Sequence, residues 1–169
     1  KKYRYEGTPA ANDSNRNLLL FRDPTVDGLK TGHTDAAGYC LIATAKREFP
    51  GVGSRRLLSI VLGTASENAR ANESQKLLNW GYTAFDAVRL FGANQPAATP
   101  AVWKGREPTV SLGRAEGIVV VVPSGSASKL TTQLVRPDPL VAPLAKGQQV
   151  GSLKVSVGGQ PLVDVPLQV

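Results

Sequence analysis

Hydrophobic and polar positions alternate in two different ways along this 169-residue chain, and the change falls near residue 88. Before it, Tyr39–Ala45 and Arg56–Leu62 are short apolar runs rich in β-branched and aliphatic side chains. Their length and composition predict two strands, with residues 46–55, containing Pro50, Gly51 and Gly53, as the long loop of an antiparallel hairpin. From Glu67 to about Trp80 the period lengthens to that of a helix. Glu73, Leu77 and Trp80 fall on one side, Ser66 is the expected N-cap and Gly81 the expected stop. Trp80, Tyr82 and Phe85 are expected in a core.

After Leu90 the helix signal disappears and nine of the twelve prolines follow. The stretch Ala93–Pro100 reads as a linker. Beyond it, short apolar segments recur between turn residues: Thr109–Leu112, Gly117–Val122, Leu130–Val135, Gln149–Val157 and Leu162–Val169. That rhythm predicts a small β-sandwich or barrel. The whole is therefore an α+β chain, with one domain over residues 1–88 and a β-rich one over residues 89–169.

Composition narrows the function classes. A 41% share of hydrophobic and 20% of charged residues is ordinary for a globular protein, and no apolar run approaches the 18 or so residues of a membrane span. The net charge of +7 comes from scattered Lys and Arg without runs longer than two or interleaved aromatics. A nucleic-acid partner is therefore not expected, whereas a basic surface suits an anionic wall or lipid surface, or mere solubility. One cysteine, Cys40, precludes an internal disulfide and is expected to pack as a small hydrophobe. With a single histidine, His33, a transition-metal site is not expected.

The chemistry-bearing stretch is Lys30-Thr31-Gly32, followed by His33-Thr34, just ahead of the first predicted strand. An ammonium beside a hydroxyl can hold a carboxylate through charge-assisted hydrogen bonds, and a glycine lets a substrate backbone approach a strand edge. Lys-Thr-Gly is one of three elements shared by penicillin-binding proteins and class A β-lactamases, the others being Ser-x-x-Lys and Ser-Asp-Asn or a variant. Its flanks add Asn15-Arg-Asn-Leu-Leu19, Val26-Asp-Gly-Leu-Lys-Thr-Gly-His-Thr34, Ala37-Gly-Tyr39, Ser59-Ile-Val-Leu-Gly63 and the segment from Arg70 to Tyr82. Val102-Trp103, Val110-Ser-Leu-Gly113 and residues 140–147 continue the series. In this order the segments closely resemble the low-molecular-mass D-alanyl-D-alanine carboxypeptidases of the penicillin-binding protein 5 and 6 type, over essentially the whole chain.

The resemblance implies the C-terminal part of a penicillin-binding, β-lactamase-like domain followed by an all-β domain. It implies a serine-type hydrolase that trims D-Ala-D-Ala stem peptides of peptidoglycan outside the cytoplasmic membrane, is acylated by β-lactams and needs no cofactor. On that pattern Lys30, Thr31 and Gly32 line the cleft, and the His33 backbone N–H completes the oxyanion hole. Arg70, with Arg16 beside it, faces the carboxylate of the leaving D-alanine. Family members carry Ser-x-x-Lys and Ser-x-Asn upstream of Lys-Thr-Gly, where only 29 residues stand here. Ser126-Ala-Ser-Lys129 and Ser66-Glu-Asn68 match literally but lie downstream, one in a turn and the other at a helix start. The chain therefore reads as the C-terminal half of a larger enzyme, without the nucleophile and without the C-terminal amphipathic helix by which such enzymes attach to membranes. A β-lactamase-like hydrolase fragment and a non-catalytic docking module are the alternatives. The first fits poorly, because class A β-lactamases end soon after the helix that follows Lys-Thr-Gly.

Overall fold

The computed structural model describes residues 14–169, which form two compact units dividing between Ala84 and Phe85. The first begins with a single helical turn, α1 (Leu19–Arg22), followed by β1 (Val26–Thr34), β2 (Gly38–Phe49), β3 (Gly53–Thr64) and α2 (Glu67–Thr83). The strands make an antiparallel sheet ordered β1-β2-β3. Leu41, Ala43 and Ala45 alternate along β2 and form one core with Leu19, Leu20, Val26 and, from α2, Ala71, Leu78 and Tyr82. Small side chains at 43 and 45 let the helix come close to the sheet.

Three sequence expectations change here. The hairpin loop is short: pairing runs through Lys46↔Arg56 and Arg47↔Arg55 to Phe49↔Gly53, leaving residues 50–52 as the turn. The polar residues extend the strands because their charges are matched elsewhere. Arg47 pairs with Asp23, while Arg55 lies 4.8 Å over the Phe49 ring. Gly81 does not stop α2, which continues to Thr83. A Cβ at Gly81 would stand 2.8 Å from Leu57 Cδ1, so glycine is there to let helix and sheet touch. Trp80 is exposed instead of buried, whereas Tyr82 is core and its hydroxyl donates to the Ala45 carbonyl at 2.7 Å. The N-cap is as expected: Ser66 Oγ accepts from the Ala69 N–H at 3.1 Å.

The second unit is all strand apart from one 3-10 turn at Ala127–Lys129. Its strands are β4 (Phe85–Phe91), β5 (Pro96–Ala98), β6 (Val102–Trp103), β7 (Leu112–Gly113), β8 (Ile118–Pro123), β9 (Leu130–Val135), β10 (Leu140–Val141), β11 (Gln149–Val157) and β12 (Gln160–Gln168). They form a five-stranded sheet ordered β5-β7-β12-β11-β9, an antiparallel β4-β8 pair and a short parallel β6-β10 pair. A single core collects Leu112, Ile118, Val120, Val122, Leu140, Leu153, Val155, Val165 and Leu167. The unbroken Val119–Val122 run still buries only alternate residues, as a strand with one covered face must. Residues 93–100 are no linker, because β5 forms within them and pairs with β7. Between Thr109 and Leu112 regular strand begins only at Leu112, Thr109 contributing one isolated bridge to Ala101. The Ser-x-x-Lys look-alike at 126–129 occupies the 3-10 turn, with the Lys129 N–H bonded to the Ser126 carbonyl.

Candidate functional site

β1 is an edge strand of its sheet and carries Lys30, Thr31, Gly32 and His33 along that edge. Register fixes where each points. Thr31 lies opposite Leu41 and His33 opposite Tyr39, on the face that α2 covers. Lys30 lies opposite Ile42 and Gly32 opposite Cys40, on the other face. Lys30 and Thr31 are thus neighbours across the strand edge, not on one face. Lys30 is exposed, and its Nζ donates to the Thr31 carbonyl at 2.7 Å. Cys40 is half-buried, its Sγ donating weakly to the Ala37 carbonyl at 3.5 Å.

Arg70 is where the structure adds most. Its side chain is only 3% exposed, yet it leaves α2 for the end of β1. Nη1 donates to the Gly32 carbonyl at 3.3 Å, and Nη2 to the Arg16 carbonyl at 3.1 Å and to Glu67 Oε1 at 3.0 Å. The guanidinium carbon also lies 5.5 Å from the Tyr39 ring centroid. A buried cation is tolerated when it is paired and hydrogen-bonded, and here two carbonyls and a carboxylate do that. Arg16 is exposed and enters this cluster through its backbone carbonyl. Lys-Thr-Gly, His33, Arg70 and Arg16 therefore converge on one end of β1.

The other end of β1 is held by a second ionic lock that sequence reading missed. Arg56 donates to both Asp27 oxygens at 2.7 Å, and Thr44 Oγ1 donates to one of them at 2.6 Å. Asp27 stands on β1, Thr44 on β2 and Arg56 on β3, so one carboxylate ties all three strands. The Arg56 guanidinium, and next the Thr44 hydroxyl, hold the Asp27 carboxyl well below the usual carboxylate range. Asn17 adds a support from below, its buried amide donating to the Gly28 carbonyl at 3.1 Å. Nothing local in the sequence announces the Asp27–Arg56 pair, because β1 and β3 meet only through β2.

This geometry can be set beside known proteins. A family profile described as D-alanyl-D-alanine carboxypeptidase matches residues 1–66, and one described as penicillin-binding protein 5, C-terminal domain, matches residues 85–169. The D-alanyl-D-alanine carboxypeptidase DacC of Escherichia coli K12 is 40% identical over 155 residues, covering 90% of this chain and 38% of the relative. DacA of the same strain is 38% identical over 157 residues, covering 92% of this chain and 38% of the relative. Penicillin-binding protein 5 from Haemophilus influenzae superposes with a TM-score of 0.78 at 34% identity, over 93% of this chain and 45% of that one. The chain belongs to the penicillin-binding protein 5/6-type D-Ala-D-Ala carboxypeptidase family.

Within that family the first unit is the end of the carboxypeptidase domain and the second is the β-rich C-terminal domain. The chain spans 38% of the length of the curated carboxypeptidases DacC and DacA. Among the described residues, no helix is long and apolar enough to cross a membrane.

Proposed function

We propose that this chain supplies one wall of the active-site cleft of a serine-type D-Ala-D-Ala carboxypeptidase, with the nucleophilic serine and its lysine contributed from upstream of Lys-Thr-Gly in the full gene product. The observation that carries the reading is the strand β1, which presents Lys30 to His33 along a rim with no strand partner among the described residues while its two ends are locked by Asp27–Arg56 and Arg70. An edge strand can take an extended peptide by backbone hydrogen bonding, which suits the end of a stem peptide.

In that cleft the exposed Lys30 ammonium supplies positive charge beside the nucleophile and the substrate carboxylate, and the Thr31 hydroxyl a hydrogen bond. Gly32 keeps the rim clear of side chain. The His33 N–H joins the serine's own N–H in stabilising the oxyanion of the tetrahedral intermediate. The serine attacks the carbonyl between the two D-alanines, D-alanine leaves, and water releases the acyl group. A β-lactam acylates the same serine. The leaving carboxylate falls to Arg70 and Arg16. A guanidinium has five N–H donors, and three bonds to protein acceptors are in place at Arg70. N–H groups beyond those three are the ones assigned to the substrate carboxylate. The reaction uses no cofactor, and its peptidoglycan substrate places the enzyme outside the cytoplasmic membrane, in the periplasm. The second unit, rich in strands, serves as a spacer or docking domain.

Penicillin labelling of the full gene product tests this. Wild type should form one acyl adduct, on a serine outside residues 1–169. Lys30→Ala should slow acylation at least a hundredfold, since loss of one preorganised electrostatic group at an acyl-transfer site costs about 2.7–4 kcal/mol. Near-normal labelling of that variant, or an adduct on Ser126, overturns the assignment.

A further inference from the structure

The His33 imidazole does not stand alone at the end of β1. It lies over the Tyr39 ring, with centroids 3.9 Å apart and planes at 32°. The Arg70 guanidinium packs against the same ring at 5.5 Å. Three side chains from β1, β2 and α2 thus make a continuous stack, two of whose members touch the chemistry proposed above. Tyr39 itself is held from behind. Its carbonyl accepts from Thr64 Oγ1 at 2.9 Å, and the preceding Gly38 adopts φ +63°, where a Cβ would stand 2.9 Å from the Thr64 carbonyl. Glycine at 38 is therefore demanded by the close crossing that aims Tyr39 at His33.

We propose that Tyr39 is a positioning residue for the acyl-transfer site, fixing the His33 backbone by stacking on its ring and relaying the rigidity of the buried Arg70 to the oxyanion-hole end of β1. The proposal rests on the carboxypeptidase reading of the same site. The physical reason is the register. His33 is the penultimate residue of β1, followed only by Thr34↔Gly38 before the chain turns. Few ladder bonds hold that end, so side-chain stacking decides how far its N–H wanders. An oxyanion donor displaced by a fraction of an ångström loses its effect on the transition state while leaving substrate binding nearly intact. Tyr39 thereby acts on kcat and not on KM.

The experiment uses the full gene product with a D-Ala-D-Ala peptide and a penicillin. Tyr39→Leu should lower kcat about tenfold with KM within twofold of wild type, and Tyr39→Phe, which keeps both stacking contacts, should remain within twofold in both. In a His33→Ala background, Tyr39→Leu should cost less than a further twofold, because the stack is already gone. His33→Ala should show the tenfold kcat loss by itself, and His33→Phe, which restores a ring over Tyr39, should recover most of it. The His33 series keeps the test available should Tyr39→Leu not fold. Equal costs of Tyr39→Leu in both backgrounds, a change confined to KM, or failure of His33→Phe to rescue overturns the proposal. A wild-type protein that neither binds penicillin covalently nor releases D-alanine overturns the carboxypeptidase reading and this proposal with it. A working wild type with indifferent Tyr39 variants overturns this proposal alone.

Discussion

The two units of the molecule are held together by different physics. In residues 14–84, arginines reach between elements: Arg47 to Asp23 and Asn79, Arg56 to Asp27, Arg70 to Gly32 and Arg16. In residues 85–169 the described ion pairs, Arg114–Glu116 and Arg136–Asp138, join residues two apart. The long-range side-chain bonds described there run from the Ser124 hydroxyl and the Gly125 N–H to Asp86, on the exposed end of the β4-β8 pair. The second unit relies on an aliphatic core of Val, Leu and Ile. Apolar burial is non-directional and tolerates small shifts, whereas a charged bond has an optimum distance and angle. The unit with directional bonds is also the one that carries the candidate site, where a strand end must be held to fractions of an ångström.

The largest effect expected on this contrast comes from the aliphatic core. Leu167 is fully buried, and Leu167→Ala should destabilise the second unit by about 2–5 kcal/mol through lost burial and a residual cavity. If residues 85–169 are a folding unit of their own, thermal unfolding of the full gene product should show one transition moving down and the other staying. Penicillin acylation per folded molecule should not change. A joint shift of both transitions would dissolve the distinction between the units.

A directional bond should show itself in selectivity. Arg70→Ala should reduce the preference for D-Ala-D-Ala peptides over analogues amidated at the C-terminus by about ten- to a hundredfold, the range expected from a charge-assisted hydrogen bond worth roughly 1.5–3 kcal/mol. The ratio of kcat/KM for acid over amide reads this directly. An unchanged ratio would confine Arg70 to clamping β1.

Polar groups buried in the first unit are not all productive. The Ser74 hydroxyl on α2 is fully buried and has no hydrogen-bond partner among the described residues. Ser74→Ala removes an unpartnered polar group and improves helix propensity, so it should raise stability by up to about 1 kcal/mol. A drop in the melting temperature would show that the hydroxyl is satisfied in solution.

The smallest effect belongs to the exposed Asp27–Arg56 lock, and pH reveals it. Asp27 has a folded-state pKa below its unfolded value, so its contribution is full above about pH 3.9 and fades as pH falls further. Chemical denaturation of wild type and Asp27→Asn should therefore differ by a constant amount near neutrality and converge in acid. A gap as wide at pH 2 as at neutrality would assign the lock's effect to packing and not to charge.

Much of this molecule was legible without coordinates. The Lys-Thr-Gly-His stretch, the Ser66 cap and the strands at 130–135 and 149–157 are local or periodic features, and local chemistry is written in consecutive residues. The alternation of burial in a strand needs only a period of two, which survives even in an all-valine run. What the tertiary structure decided depends on residues brought together from distant positions. Residues 46–49 and 53–55 look like loop by composition and became strand because Asp23 and the rings of Phe49 and Tyr82 stand where the charges of Arg47 and Arg55 need partners. Gly81 looks like a helix stop and is instead a contact point, because Leu57 of β3 approaches there. Tyr39 carries no signal of its own in the chain. Its contacts with His33 and Arg70 exist only once β1, β2 and α2 have packed, since they depend on the relative placement of three elements that no sequence interval encodes.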